Sequence, residues 1–467
     1  MVKRGNEVEL EIESAAFEGA AVGRLEKLVV FTPFAVPGDR VKVRINRKRK
    51  KYAEGTLLEV LKPSPDRISP QCKYFGTCGG CKLQSTRYAV QLSSKRQQVE
   101  DLLRRIGKLE QVEVEPTCPS PDIYGYRNKM EFSFGASRWL TQEEIETGAP
   151  VKRDFALGLH IPKRFDRILD LEECFLQGEL SPRIVNRVRQ LAIEQKWTAL
   201  DTKTYAGYLR NLVIRRGVLT GDLMVNLVTS SYEVERIALF TETLRSEFPE
   251  ITTILNTINA TRSPVPAGDE VYLTHGDGFI SERIGPIEYR LSPTSFFQPN
   301  SKNAENLFST IREFAQLSGD ETVYDIYCGL GAIGLFLANT CRRVVGIEAQ
   351  AESIEMARAN AALNQIENCD FEVGDALEAL SPDFLQKYGL PEIVVFDPPR
   401  IGLDRKLVDR VLELEIPRIV YSSCNPATQA RDLEILRTRY HVDRVRPVDM
   451  FPQTYHIEAV ASLTLKH

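Results

Sequence analysis

Apolar and polar positions alternate with a period of two in short runs at the start of the chain, the pattern of half-buried β-strands. The runs are Val8-Glu9-Leu10-Glu11-Ile12, Val29-Val30-Phe31, Val41-Lys42-Val43-Arg44-Ile45 and Thr56-Leu57-Leu58-Glu59-Val60, punctuated by Gly19, Gly23 and Pro37-Gly38-Asp39. Several short strands at close spacing predict a small barrel of the OB type over residues 1–62. Pro63-Ser64-Pro65 reads as a linker. The period then changes: Arg87 to Lys108 has helical spacing, with Val90, Val99, Leu102, Leu103 and Ile106 on the apolar side. Alternation returns at Tyr126–Phe132, which places Arg127, Lys129 and Glu131 on one face, where they either are solvated or contact a partner. Strands are expected at Leu212–Arg215 and Leu223–Val228 with amphipathic helices between them, and a polar loop over 136–152.

From about residue 293 strands and helices alternate. Strands near Val323, Val344, Phe371, Val394 and Val420, with helical stretches between, predict a doubly wound parallel sheet. Two more, near Val442–Arg446 and Ile457–Leu465, bring it to seven. The fold class is therefore α/β, a Rossmann-like domain at 293–467 behind an OB-like barrel at 1–62 and a central α+β domain at 63–292.

Composition adds limits. A chain of 467 residues is too long for one core, and its 43% hydrophobic and 27% charged shares are those of ordinary globular proteins. No apolar run reaches the length of a membrane span, and Met1–Glu7 lacks a signal core. Nine cysteines, three of them tightly clustered, argue against a disulfide framework and for a reducing cytoplasm. The net charge of −4 makes no whole-chain case for nucleic acid. Its distribution does more: eight of the twelve residues from Arg40 to Lys51 are Lys or Arg. Such a run is either a solvated hairpin tip or a phosphate-contacting patch.

The candidate chemistry collects at strand ends, where ligands of open α/β sheets bind. Asp325-Ile326-Tyr327-Cys328-Gly329-Leu330-Gly331 turns the first strand into a helix, and Gly329, Gly331 and Gly334 satisfy the spacing of a nicotinamide fingerprint. Glu348 ends the second strand, where an acid binds ribose hydroxyls under either cofactor. Asp375 follows the third, Asp397-Pro398-Pro399-Arg400 the fourth, and Cys424 the fifth. A dehydrogenase has no use for a Pro-Pro strand end beside a nucleophilic cysteine. The plainer alternatives are helix-capping acids and a small buried thiol. Upstream, Cys72, Cys78 and Cys81 form C-x5-C-x2-C around Gly79-Gly80; three thiolates need a fourth ligand, and Cys118 and Cys174 both qualify on sequence.

Ser423-Cys424-Asn425-Pro426-Ala427-Thr428 and Phe451-Pro452-Gln453-Thr454-Tyr455-His456-Ile457-Glu458 resemble the RNA uracil-5-methyltransferase family. Phe17-Glu18-Gly19 through Gly23 and Val36-Pro37-Gly38-Asp39 resemble the TRAM module of RNA-modifying enzymes. The resemblance implies a class I methyltransferase domain using S-adenosyl-L-methionine, with Gln298, Tyr327, Glu348, Asp375 and Asp397 lining the cofactor site. Ala332 departs from some relatives, which carry a polar residue there, so one cofactor hydrogen bond is either missing or made by the backbone. Cys424 would add to uracil carbon 6 and Glu458 would remove the carbon-5 proton, with His456 the rival base. Gln298 would also donate to uracil O4. Gly158-Leu159-His160, Phe165-Asp166 and Asp170–Cys174 resemble the segment holding the last cluster ligand. That implies a [4Fe–4S] cluster on Cys72, Cys78, Cys81 and Cys174, with zinc as the alternative. The barrel and cysteines resemble the ribosomal RNA branch, so the expected partner is ribosomal RNA, bound by a monomer. Alternatives are tRNA as substrate, cytosine-5 methylation of RNA, and an inactive iron–sulfur RNA-binding protein.

Overall fold

The computed structural model describes residues 2–148, 150, 152–162, 164–263, 265, 266, 268 and 270–467, except for the side chains of Phe17 and Phe165. The chain forms two compact units. One comprises Met1–Gln71, Cys81–Ile123 and Asn303–His467; the other comprises Cys72–Gly80 and Tyr124–Lys302.

The first unit opens with β1 (Glu7–Ala15), β2 (Ala20–Leu25), β3 (Leu28–Pro33), β4 (Arg40–Lys48) and β5 (Tyr52–Lys62), closed as a barrel in the order β1-β2-β3-β5-β4. The alternation is realised: Leu10, Ile12, Val41, Val43 and Ile45 point into the barrel core. Strand β2 lies across the stretch read as glycine punctuation, because Gly23 lets β1 come close; a Cβ there would stand 2.7 Å from Glu11 O. Buried Asp39 accepts from Val36 N at 2.7 Å and Ser64 N at 2.9 Å and pairs with Arg67, which ties the linker to the barrel. The basic run occupies the β4–β5 hairpin, with residues 47–51 at its exposed tip.

Helix α1 (Tyr88–Arg105) buries Val99 and Leu103 as expected, but its buried face also takes in Gln91 and Lys95; Val90 and Leu102 are half-buried, and Ile106, just past the end, is exposed. The face is chosen by polar partners. Lys95 Nζ donates to Asp449 Oδ1 at 2.6 Å, and both side chains are buried. Removing one member of such a pair costs about 3–5 kcal/mol because the other charge is stranded. The short β6 (Glu113–Val114) follows.

The second unit carries an eight-stranded sheet in the order β14-β13-β12-β11-β7-β9-β10-β8. Its strands are β7 (Lys129–Gly135), β8 (Arg138–Trp139), β9 (Ala156–Ile161), β10 (Arg164–Asp170), β11 (Leu209–Arg216), β12 (Leu223–Thr229), β13 (Thr253–Ile258) and β14 (Glu270–His275). A two-stranded sheet adds β15 (Ile280–Ile284) and β16 (Ile287–Leu291). The polar loop expected over 136–152 holds β8 and α2 (Gln142–Thr147), started by a capping box of Thr141 and Glu144. Its residues 149 and 151 lie outside the described residues, as does the side chain of Phe165. No helix separates β11 from β12, which pair antiparallel across a tight turn; α3 (Leu180–Glu194) and α4 (Val234–Glu247) flank them in sequence instead.

The chain returns to the first unit through α5 (Ser301–Ala315) and then alternates: β17 (Thr322–Ile326), α6 (Ala332–Leu337), β18 (Arg343–Glu348), α7 (Ala351–Leu363), β19 (Cys369–Val373), α8 (Pro382–Tyr388), β20 (Ile393–Phe396), α9 (Arg405–Leu414), β21 (Arg418–Ser423), α10 (Pro426–Leu436), β22 (Tyr440–Val448) and β23 (Glu458–Leu465). The sheet order is β19-β18-β17-β20-β21-β23-β22-β6. It has eight strands where seven were expected, because β6 pairs in parallel with β22. Strand β20 is buried throughout, and each of its Ile, Val and Phe side chains contributes about 1.5–3 kcal/mol by leaving water. That apolar backing holds the polar strand ends in register. Among the described residues, no helix is long and apolar enough to cross a membrane.

Candidate active site

Register builds the site. Ile326 pairs with Ile347 on one side and Phe396 on the other, and Phe396 pairs with Tyr421. The next residue outward on each strand is therefore Tyr327, Glu348, Asp397 or Ser422, in one row along the carboxyl edge. Ser423 pairs antiparallel with Ala459, so Cys424 and Glu458 leave their strands side by side. Asp375 follows β19 one residue beyond Gly374, whose N–H binds Glu348 O at 3.0 Å.

The Gly-rich turn bends away from this row. Tyr327, Gly329 and Gly331 all have positive φ, at 72°, 55° and 79°. A Cβ on Gly331 would stand 2.8 Å from the Phe371 ring, whereas one on Gly329 would meet open space. The turn is thus packed behind and open in front, the shape a cofactor needs to approach the backbone. Buried Asp325 holds it by accepting from Gly334 N at 2.9 Å. Burial, and then the charges of Asp397 and Glu348, push the Asp325 carboxyl up to about 7. Asp375 accepts from Leu377 N at 2.9 Å and Glu348 from Gln350 N at 3.1 Å, which aims both carboxylates. Burial, then Asp375, Asp404, Asp432 and Glu348, push the Tyr327 hydroxyl up to about 12.

Beside the turn, Pro426 at the first helical position stops β21 and starts α10, with Asn425 as its cap. Asn425 Nδ2 also donates to Arg400 O at 3.0 Å, so the Asp397–Arg400 loop and the Cys424 loop are tied together. Cys424 is half-buried and is not sealed in hydrocarbon. Burial, then Glu458 and Asp397, push its thiol up to about 12, against which Arg400 acts. Glu458 is buried and accepts from Ser422 Oγ at 3.3 Å. Burial and the nearby Asp397 hold the Glu458 carboxyl well above the usual range, and burial likewise raises Asp397. A thiol, two buried carboxyls with raised pKa values and a glycine turn thus meet at one edge.

Three contributors stood in the motifs without a role assigned to them: Ser422, Arg400 and Asn425. Only Asn425, standing before a proline at a strand-to-helix change, carried a capping signal. Gln298 lies in the other unit. There it is buried, and its carbonyl accepts from Asn128 Nδ2 at 2.7 Å.

Cys72, Cys78 and Cys174 also belong to that unit and border its apolar core. Lys73 pairs with Glu172 at 2.5 Å, and Tyr74 OH accepts from Glu172 N at 3.2 Å, which ties the segment after Cys72 to the segment before Cys174. Gly80 N donates to Cys78 Sγ at 3.4 Å, which opposes the rise that burial imposes on that thiol. Cys81 begins a segment of the first unit. Among the described residues no group of three or more His, Cys, Asp or Glu side chains is gathered as a metal site.

The family described as tRNA (Uracil-5-)-methyltransferase matches residues 280–466, and the TRAM domain matches residues 2–58. A protein named as an uncharacterized RNA methyltransferase in Bacteroides thetaiotaomicron is 42% identical over 97% of this chain and 100% of its own length. A namesake in Halalkalibacterium halodurans is 38% identical over 100% of this chain and 98% of its own. Among solved structures, Pyrococcus abyssi tRNA (uracil-54, C5)-methyltransferase in complex with S-adenosyl-L-homocysteine matches at a TM-score of 0.73 and 29% identity, covering 97% of this chain and 100% of that one.

Proposed function

The chain belongs to the RNA (uracil-5-)-methyltransferase family, and on that premise we propose that it methylates carbon 5 of one uridine in 23S ribosomal RNA through a covalent bond from Cys424 to carbon 6. It is an RNA methyltransferase that uses S-adenosyl-L-methionine. The observation carrying the mechanism is the exit of Cys424 and Glu458 side by side, next to the open Gly-rich turn.

Bound at the row of Tyr327, Glu348, Asp375 and Asp397, the cofactor supplies a methyl group on a cationic sulfur. The acids suit its ribose and cationic portions, and the open face of Gly329 leaves room beside them. Carbon 5 of uracil is a poor nucleophile. Addition of the Cys424 thiolate to carbon 6 pushes the ring electrons toward carbon 5 and O4, making an enolate. Carbon 5 would then take the methyl group, the broken bond's electron pair staying with the sulfur that carried it. Glu458 removes the carbon-5 proton, the ring double bond re-forms, and the Cys424–carbon 6 bond breaks. The uridine must leave its stack to reach the thiol, at about a few kcal/mol. The barrel and the Arg47–Lys51 tip supply phosphate contacts toward that cost.

The C-x5-C-x2-C run, the TRAM barrel and Cys174 support the ribosomal reading. A second reading, tRNA as substrate, is favoured by the extent of the match to the archaeal tRNA enzyme. Mapping carbon-5-methylated uridines in cells with and without the gene separates them: loss of one site in 23S RNA is the expected result, and loss in tRNA alone overturns it. With 5-fluorouridine RNA, whose fluorine cannot leave as a proton does, the protein and cofactor should form an SDS-stable adduct.

Cys72, Cys78, Cys81 and Cys174 would hold a [4Fe–4S] cluster as a structural centre. Their thiolate chemistry and the Gly80 N–H to Cys78 suit it. Protein purified without oxygen is expected to be brown and to carry about four irons and four sulfides per chain. A colourless sample with one zinc would replace the cluster by zinc.

A further inference from the structure

Residues 449–457 connect β22 to β23 and deliver Glu458 to the active-site row. This connection is longer than the ordinary hairpin loop of about 2–5 residues, so its own geometry does not dictate one shape. At its centre Gln453 has φ 66°, a conformation that a residue with a side chain keeps only when its surroundings impose it.

Gln91, on the buried face of α1, imposes it. Its Nε2 donates to Gln453 Oε1 at 3.0 Å, and its Oε1 accepts from Gln453 N at 3.1 Å. The same amide is anchored on its own side of the contact, to Thr86 O at 2.9 Å and Leu83 O at 3.1 Å. Gln453 O in turn accepts from Lys82 N at 2.9 Å and Leu83 N at 3.0 Å. Gln91 is 1% exposed and Gln453 2%, so water does not compete for these bonds. An apolar residue would bury more cheaply at position 91. What it could not do is read both the main chain and the side chain of one loop residue.

We propose that Gln91 is a positioning residue for the reaction: by fixing Gln453 it sets the course of the 449–457 connection and brings Glu458 to the carbon-5 proton. The inference rests on Glu458 being the base. It predicts a defect confined to the last chemical step, after the methyl group has arrived.

The test is Gln91→Leu in the full-length protein, assayed with ordinary RNA, for kcat, KM, S-adenosyl-L-homocysteine affinity, thermal midpoint and SDS-stable adduct. Because proton removal is only partly impaired, kcat should fall by about tenfold, less than a full loss of general base catalysis. The methylated RNA should remain attached to Cys424, so the adduct rises from a trace to the main form, while KM and cofactor affinity stay within about twofold. Gln453→Gly is the companion if Gln91→Leu folds poorly; glycine accepts φ 66° and keeps the main-chain bonds but loses the one to Gln91 Nε2 and frees the backbone, so it should trap adduct too, to a smaller extent than Gln91→Leu. An unchanged kcat, or a fall in kcat without adduct, overturns the proposal. Glu458→Gln serves as the control. If it traps adduct and the Gln91 and Gln453 variants do not, positioning fails alone; if Glu458→Gln traps nothing, the assignment of the base fails first.

Discussion

Cys424→Ala is expected to abolish methyl transfer, lowering kcat by about 10^4-fold or more, a barrier increase of roughly 5.5 kcal/mol. It should also remove the adduct with 5-fluorouridine RNA. The size follows from the chemistry: without an added sulfur, carbon 5 of uracil stays too weak a nucleophile to take the methyl group. Folding should be untouched, because Cys424 is half-buried at a strand end and makes no core contact that alanine would lose entirely. The structure adds a condition. With the thiol pushed up to about 12 by burial and by Glu458 and Asp397, little thiolate exists at neutral pH in the free protein. Reaction with iodoacetamide at Cys424 should therefore be slow until pH rises toward that value. A cationic sulfur bound nearby opposes the two carboxyls and should accelerate alkylation at fixed pH, whereas S-adenosyl-L-homocysteine, which lacks that charge, should not. Equal methylation by wild type and Cys424→Ala, read by mass spectrometry of the RNA, would remove the covalent mechanism.

The strand ends were legible because each is a local pattern: an apolar run of four or five residues, then an acid, a glycine or a proline. β17, β18, β20 and β21 form where those runs stand, and register alone then brings Tyr327, Glu348, Asp397 and Ser422 into a row. The barrel was legible for the same reason, apart from β2, whose glycines read as turns while serving close strand packing. Helix α1 shows where such patterns run out. Its apolar residues chose one face, but the buried face includes Gln91 and Lys95, whose partners Gln453 and Asp449 lie more than three hundred residues on. No window along the chain contains both halves of such a bond. The second unit was least legible. β9, β10 and β13–β16 are short and interrupted, and the hairpin of β11 and β12 turns too tightly for the helix expected there. Ser422 and Arg400 had no role assigned because a hydrogen bond to Glu458 and a charge near Cys424 depend on which strands adjoin.

Glu458→Gln should give the opposite signature to Cys424→Ala: the covalent bond forms and then persists. Glutamine nearly matches glutamate in shape and retains an oxygen for Ser422 Oγ, which lies 3.3 Å from Glu458 Oε1, but it takes no proton. Ordinary RNA should therefore carry its new methyl group while still joined to Cys424, and turnover should fall by about 10^2–10^4-fold, the usual contribution of a general base. The pH dependence separates this from a general loss of fit. In the wild type, burial and Asp397 hold Glu458 well above the ordinary carboxylate range, so the free protein keeps it protonated at moderately acidic pH. A protonated carboxyl cannot accept the carbon-5 proton. As pH rises through the raised value the carboxylate forms, so the steady-state adduct should decline with increasing pH in the wild type. In Glu458→Gln the adduct should stay high across the same range, since the group that titrates is gone. Asp397→Asn should shift the wild-type decline toward lower pH, because removing that neighbouring charge makes Glu458 easier to ionise. A Glu458→Gln protein that releases methylated RNA as fast as the wild type would move the base elsewhere, with His456 the next residue to test.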